Sequence, residues 1–203
     1  MPADVIIGTD GLTPDSLIEI ARNNASVKIS AEAAVAINKS REIVDSLAAS
    51  EVPVYGISTG FGALARKFID ADKRVQLQKS LIRSHAAGSG EIVEVEVIRA
   101  MMAVRLATMC RGLSGVQLQT AETYAAMLNA NITPVVREFG SLGCSGDLAP
   151  LSACALAAMG EGEVIFKGQI IKTEVAFQTA GINPVEDRKS TRLNSSHGYI
   201  SYA

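Results

Sequence analysis

The sequence predicts a mainly α fold with small β elements. Hydrophobic residues make up 48% of the 203 residues and charged residues 20%, the composition of a globular chain. Aromatic residues are only 4% and tryptophan is absent, so the core must be built from aliphatic side chains, a composition that favours closely packed helices. Apolar residues recur at helical spacing in several segments, whereas the strand-like runs are short.

The first fifty residues alternate short extended runs with capped helices. Residues 5–7 are apolar and β-branched, and 27–29 place β-branched Val27 and Ile29 on either side of Lys28, patterns that are typical of strands. Thr13 is the predicted N-cap of a helix whose first position is Pro14, because proline suits that position. Ser30 is predicted to cap a longer, Ala-rich helix. The apolar face of this helix carries Ala33, Ile37, Val44 and Leu47.

The middle of the chain is predicted to be helical between two glycine-rich loops. The loops span Gly56 to Gly62 and Gly140 to Gly146. The predicted helices are 71–87, 94–111 and 117–129. One face of the second of these helices carries Val97, Met101, Val104 and Thr108.

The last predicted elements surround the second glycine-rich loop. Pro134 disfavours helix at the residue before it, so 131–136 is expected to be extended. A helix of small residues is predicted over 148–159. Two apolar runs joined by Lys167-Gly168 predict a β-hairpin.

Charge and cysteine usage limit the function classes. Lys and Arg number 19 and Asp and Glu 21, so the net charge of -2 argues against a nucleic-acid partner. No apolar run approaches the roughly 20 residues that cross a bilayer, and the N-terminus does not resemble a signal peptide. The cysteines (Cys110, Cys144 and Cys154) are odd in number and lack metal-ligand spacing, which is typical of reduced thiols in the cytoplasm.

The last 17 residues, 187–203, differ from the rest. They are polar and lack periodicity, and Asp187 to His197 resembles the translation of a common sequencing-library adapter. We therefore expect residues 1–186 to be an incomplete N-terminal domain and 187–203 to be a non-native tail. Without the tail, three basic residues and one acidic residue are lost, so the charge of -2 becomes -4.

The loop before the 148–159 helix could carry chemistry in several ways. Phosphate binding is disfavoured, because Asp147 stands where a phosphate loop has lysine. A nucleophilic Cys144 would need a histidine base, and outside the tail His85 is the only histidine. A connector of small residues without chemistry also fits. A further possibility is a backbone cyclisation.

Backbone cyclisation requires a tightly bent triplet with serine in the middle and glycine third. The glycine nitrogen attacks the carbonyl carbon of the first residue, water is lost, and dehydration of the serine leaves an exocyclic methylene. Glycine suits the third position because it has no Cβ to oppose the bend. Cys144, Ser145 and Gly146 meet these requirements.

Residues 140–151, GSLGCSGDLAPL, resemble the signature of the aromatic amino-acid ammonia-lyases and aminomutases. The resemblance implies that Cys144, Ser145 and Gly146 form 4-methylideneimidazole-5-one (MIO) autocatalytically, with no external cofactor. Most members of the family have alanine as the first residue of this triplet. Cys144 supplies mainly its carbonyl, so this departure should not block ring closure.

The first glycine-rich loop agrees with this resemblance. Residues 54–62, VYGISTGFG, resemble the tyrosine loop of the family, which implies that Tyr55 removes the β-proton of the substrate. Gly60, Gly62 and Asp147 would support the two loops. The same segment contains a formal G-x-S-x-G nucleophile elbow, but its glycines weaken the helix that a hydrolase needs there.

The segment 77–88 resembles the substrate-selectivity region of the family, in the Ser-His-Ala-Ala-Gly form found in histidine ammonia-lyases. This implies that His85 binds the substrate imidazole and that L-histidine is converted to trans-urocanate. Family members are homotetramers of roughly 500 residues with sites built from several subunits. The chain would then end before the long central helical bundle and be inactive alone.

Two alternatives stay open at this point. A lyase or aminomutase acting on tyrosine or phenylalanine would share every motif except the environment of His85. A non-enzymatic globular fragment is the other alternative.

Overall fold

The computed structural model describes residues 4–141 and 147–185 of the chain. In these ranges it contains seven α-helices: α1 Pro14–Ala21, α2 Ala31–Ala49, α3 Ala71–His85, α4 Val95–Cys110, α5 Leu118–Asn129, α6 Leu148–Ala158 and α7 Thr173–Ala180. The strands there are short: β1 Val5–Ile7, β2 Val27–Ile29, β3 Ser89–Ile92, β4 Thr133–Pro134, β5 Arg137–Phe139, β6 Glu163–Phe166 and β7 Gln169–Lys172. The mainly α prediction is confirmed.

Both predicted helix caps are present. The Thr13 hydroxyl oxygen accepts from the backbone N–H of Ser16 at 3.2 Å, and Pro14 is the first residue of α1. The Ser30 hydroxyl oxygen accepts from the N–H of Ala33 at 3.0 Å at the start of α2. Each cap satisfies a backbone donor that the helix itself leaves unpaired.

The core is centred on α4, which packs against α1, α2 and α5. Arg99 of α4 is 2% exposed and donates to the carbonyl oxygens of Ile20, at 2.8 Å, and Leu128, at 3.0 Å. A buried charge is stable only when its donors are engaged, and here they join the ends of α1 and α5 to α4. Burial lowers the pKa of the Arg99 guanidinium.

The face of α4 that carries Val97 and Val104 lies away from this core. These two side chains are 49% and 50% exposed. The buried side chains of α4 lie on the other face and include Ile98, Met102, Leu106, Met109 and Cys110. Since both faces are apolar, α4 has the composition of a helix that is covered on all sides.

A three-stranded sheet holds β4, the strand that precedes the second glycine-rich loop, against a β-hairpin. Lys167 and Gly168 both have positive φ, 51° and 76°, as the favoured two-residue hairpin turn requires. β6 pairs with β7 as predicted, and β4 adds to β6 on its other side. Two features were not predicted: the helix α7 and the antiparallel pairing of β3 with β5.

Candidate functional site

The Tyr55 loop is a tight turn closed by its own backbone. The carbonyl oxygen of Val54 accepts from the N–H groups of Ile57 at 3.1 Å and Ser58 at 3.0 Å. The half-buried Tyr55 ring contacts Phe61 edge to face, with ring centroids 5.8 Å apart and an interplanar angle of 83°. The turn and this aromatic contact together fix the direction of the phenol.

Two glycines that were predicted to support this loop have geometric reasons to be glycine. A Cβ on Gly60 would lie 2.5 Å from the Cβ of Leu64, closer than real Cβ atoms approach. Gly62 has φ +55°, in the left-handed region that glycine occupies without strain. Replacement of either Gly60 or Gly62 by a residue with a side chain would therefore disturb the backbone that carries Tyr55.

Arg74 of α3 anchors the far side of the Tyr55 loop. The N–H of Ile69 donates to the carbonyl oxygen of Ser58 at 2.8 Å, closing the loop. Arg74 donates to the carbonyl oxygens of Ile69 at 3.0 Å and Ala48 at 2.8 Å, and its guanidinium carbon lies 5.4 Å from the centre of the Phe68 ring. The loop is thus tied to the end of α2 and the start of α3.

His85 is the last residue of α3 and is half-buried. Its Nδ1 lies 2.8 Å from the carbonyl oxygen of Leu81 and 3.0 Å from the hydroxyl oxygen of Ser84. A carbonyl oxygen only accepts, so Nδ1 carries a hydrogen and donates to Leu81. In the neutral ring, Nε2 is then the accepting nitrogen.

The predicted triplet of Cys144, Ser145 and Gly146 lies outside the described residues. The residues on either side of this segment are held together, because the Ser141 hydroxyl donates to the Asp147 carboxylate. The carbonyl oxygen of Asp147 accepts from the N–H of Leu151 at 3.2 Å, so α6 starts directly after the segment. Asp147 was predicted as a supporting residue, and this is the contact through which it could act.

The stretch that follows His85 lies close to Gly140, which precedes the triplet in the sequence. A Cβ on Gly140 would lie 3.5 Å from the Cα of Gly88 and 2.9 Å from the Cβ of Ala149. Ala86, Gly88, Ala149 and Pro150 line one cavity of about 190 Å³. The structure therefore brings the end of the predicted substrate-binding segment next to Gly140 and Ala149, which flank the predicted triplet in the sequence.

The loop that carries Tyr55 is tied to the start of α3, whereas His85 is at the end of this helix. Arg74, which holds the Tyr55 loop, and His85 are eleven positions apart on α3, which is about 16 Å at 1.5 Å per residue. The Tyr55 ring has an edge-to-face contact with Phe61 of its own loop. The loop that carries Tyr55 is therefore held at one end of α3, and His85 lies at the other end.

The described cysteines are buried and free. Burial raises the pKa of the Cys154 thiol to about 12 and that of the Cys110 thiol to about 11. Both thiols are therefore protonated at neutral pH and unsuited to nucleophilic attack or metal binding. Over the described ranges, no group of His, Cys, Asp and Glu side chains could hold a metal ion, and no helix is long and apolar enough to cross a membrane.

An ion pair that the sequence did not predict lies beside His85. The Nε and Nη2 atoms of Arg83 each lie 2.8 Å from a carboxylate oxygen of Glu161. The hydrogen bonds and charge of Arg83 lower the pKa of Glu161. The partners are 78 positions apart, so no local pattern in one sequence could have indicated the pair.

Comparison with known proteins identifies the family to which the chain belongs. The family model described as aromatic amino acid lyase matches residues 12–191. A histidine ammonia-lyase of Streptomyces avermitilis is 50% identical over 195 residues, which is 96% of this chain and 38% of that protein. The chain thus spans less than two fifths of the length of this relative and of two further Streptomyces histidine ammonia-lyases.

Solved structures of related enzymes share the fold. The ergothioneine-degrading ergothionase of Treponema denticola has a TM-score of 0.91 at 30% identity, covering 96% of this chain and 39% of its own. The histidine ammonia-lyase of Trypanosoma cruzi has a TM-score of 0.85 at 32% identity, covering 96% and 37%. Since the family model matches most of the sequence and the fold agrees, the chain belongs to the aromatic amino acid lyase family.

Proposed function

We propose that the chain is the N-terminal part of a histidine ammonia-lyase, which converts L-histidine to trans-urocanate by non-oxidative loss of ammonia. The observation that carries the proposal is the packing of the segment after His85 against Gly140, next to the triplet. The 50% identity to a histidine ammonia-lyase supports histidine over other amino acids as the substrate. Residues 1–186 form the domain that bears the prosthetic group, and 187–203 are a non-native tail.

We propose that Cys144, Ser145 and Gly146 cyclise to MIO, and the described flanks fit this. The hydrogen bond from Ser141 to Asp147 holds the ends of the loop together, as a bent triplet requires. Ring closure forms a bond from the Gly146 nitrogen to the Cys144 carbonyl carbon and releases water, and dehydration of Ser145 releases a second. The group supplies an electrophile that no standard side chain offers.

His85 would recognise the substrate imidazole. Its Nδ1–H donates to the carbonyl oxygen of Leu81, so Nε2 can accept from an N–H of the substrate ring. A phenylalanine side chain offers no donor for this bond, and the donor of tyrosine is a phenolic hydroxyl, which lies further from the Cβ atom than the ring N–H of histidine. The tautomer that α3 imposes is therefore suited to histidine.

Tyr55 would accept the β-proton of the substrate. Its phenol is held by the turn at 54–58 and by Phe61, which reduces the loss of freedom on reaching the transition state. Because Tyr55 and His85 lie at opposite ends of α3, we propose that the enzyme is a cytoplasmic homotetramer in which one subunit supplies Tyr55 to the site of another. The chain alone would then show no turnover.

The test uses the full-length protein that contains these residues. Wild-type protein should form urocanate from L-histidine, followed by ultraviolet absorbance, and the peptide with residues 144–146 should weigh two water molecules less than its sequence. Ser145→Ala should abolish urocanate formation, because alanine cannot undergo the serine dehydration. Ser46→Ala, at an exposed position of α2, is the matched control and should change neither readout.

Other outcomes would contradict the proposal in distinct ways. Loss of two waters without urocanate, together with ammonia release from tyrosine or phenylalanine, would assign a different substrate. An unmodified peptide and no ammonia release would indicate a non-enzymatic protein.

A further inference from the structure

Arg83 and Glu161 form a bidentate ion pair between α3 and the turn after α6. Arg83 Nε donates to Oε2 and Nη2 to Oε1, each at 2.8 Å. This fork-to-fork geometry fixes the relative orientation of the two side chains as well as their distance. Lys79, one turn before Arg83, also lowers the pKa of the Glu161 carboxyl through its charge.

The backbone of Glu161 is fixed from both sides. Its N–H donates to the carbonyl oxygen of Leu156 at 3.0 Å, and its carbonyl oxygen accepts from the hydroxyl of Thr173 at 2.7 Å. Thr173 is fully buried at the start of α7. Glu161 is therefore a rigid attachment point on the module formed by α6 and α7.

His85 lies between two attachments of α3 to this module. Arg83 contacts Glu161 after the C-terminal end of α6, while Gly88 lies against Gly140 and lines a cavity with Ala149 near the N-terminal end. The last turn of α3 is closed by bonds within the helix, because the N–H of Ala86 donates to the carbonyl oxygen of Ile82 at 2.9 Å and Nδ1 of His85 donates to that of Leu81. Helix ends open more readily than helix centres, and the ion pair joins this last turn to a residue 78 positions away in the sequence.

We propose that the Arg83–Glu161 pair is a positioning device that sets the place and orientation of the His85 imidazole relative to Gly140 and the start of α6. This inference rests on the proposed function, since His85 acts there as the substrate-binding group. Arg83 and Glu161 are positioning residues and do not touch the substrate.

Because the pair is partly exposed to solvent, its effect on the position of His85 can be distinguished from its effect on the stability of the fold. The Arg83 and Glu161 side chains are 49% and 34% exposed, so solvent screens the pair and its contribution to global stability is small. A shift of His85 by even 1 Å would nevertheless weaken substrate binding strongly. The pair should therefore affect catalysis far more than the unfolding temperature.

The experiment compares variants of the full-length protein. Arg83→Gln and Glu161→Gln should each lower kcat/KM for L-histidine about tenfold, mainly through KM. Arg22→Gln is the matched control, because Arg22 forms an equivalent pair with Glu96, at 2.9 Å, between α1 and α4. The control should leave kcat/KM unchanged, and the exchange Arg83→Glu with Glu161→Arg should restore part of the loss.

A double-mutant cycle with His85 tests whether the pair acts through that residue. In a His85→Ala background, Arg83→Gln should cause no further loss of kcat/KM. Additive losses would overturn the proposal, because they would show that the pair acts independently of His85.

Hydrogen–deuterium exchange gives a readout that does not depend on turnover. The amides of residues 81–88 should exchange faster in Arg83→Gln than in wild type, and Arg22→Gln should show no change there. Unchanged exchange in Arg83→Gln would overturn the positioning role. If the wild type forms no urocanate, the proposed function fails while the exchange result still decides the role of the pair.

Discussion

Gly140 lies against Gly88, with the position of a Gly140 Cβ only 3.5 Å from the Cα of Gly88. This contact joins two segments that are far apart in the sequence and that carry different parts of the proposed chemistry. Gly140 precedes the triplet, and Gly88 follows the proposed substrate-binding His85. The absence of a side chain at both positions allows the two backbones to approach.

Gly140→Ala should disturb the loop that contains the triplet. Its new Cβ would lie 2.9 Å from the Cβ of Ala149, so the backbone must shift, at a cost of about 1–3 kcal/mol. We expect a smaller fraction of the 144–146 peptide to lose two waters, measured by mass spectrometry of the full-length protein. Gly8→Ala is the control, because its Cβ would make an ordinary 3.7 Å contact with Ser30. Complete water loss in Gly140→Ala would contradict the expected strain.

Tyr55→Phe should lower kcat for urocanate formation by roughly 10²–10⁴-fold, the range for loss of a general base. The ring contact with Phe61 is kept, so the unfolding temperature should stay the same. Tyr124→Phe, in the buried core, is a control that should retain kcat. Equal loss of kcat in both variants would argue against a special role for Tyr55.

Cys110 and Cys154 should resist alkylation in the native protein. Burial raises the pKa of their thiols to about 11 and about 12, so the reactive thiolate is scarce at pH 8 and grows only as the pH approaches these values. Iodoacetamide labelling, followed by peptide mass, should be slow until the protein is unfolded in urea. Native labelling as fast as unfolded labelling would show that the thiols are accessible.

Arg99→Ala should destabilise the fold by roughly 2–4 kcal/mol, because it leaves the buried carbonyl oxygens of Ile20 and Leu128 without their charged donor. Urea unfolding of the full-length protein measures this loss. Arg22→Ala removes an exposed arginine instead and should cost about 1 kcal/mol or less. Similar losses in the two variants would refute the structural role of Arg99.

Elements with local chemical signals were predictable from the sequence. The N-caps Thr13 and Ser30 and the hairpin turn at Lys167-Gly168 each follow from residues within a few positions. The pairing of β3 with β5 was missed because Ser89–Ile92 contains glycine and polar residues, and its partner lies far along the chain. The buried Arg99 was missed because its acceptors belong to two other helices.

The candidate site was predictable in its residues but not in its arrangement. Tyr55, His85 and the triplet were identified through motifs that resemble those of a known family. The contact between Gly88 and Gly140 and the separation of Tyr55 from His85 along α3 depend on tertiary packing, which no single motif records.

Histidine specificity is the central claim, and side-by-side ammonia release tests it most directly. The full-length protein is offered L-histidine, L-tyrosine and L-phenylalanine separately, and kcat/KM is measured for each. We predict turnover of L-histidine to urocanate, with kcat/KM at least about a hundredfold above the other two, because phenylalanine has no donor for Nε2 of His85 and the tyrosine hydroxyl lies further from Cβ than an imidazole N–H. A higher kcat/KM for tyrosine or phenylalanine would contradict the assignment.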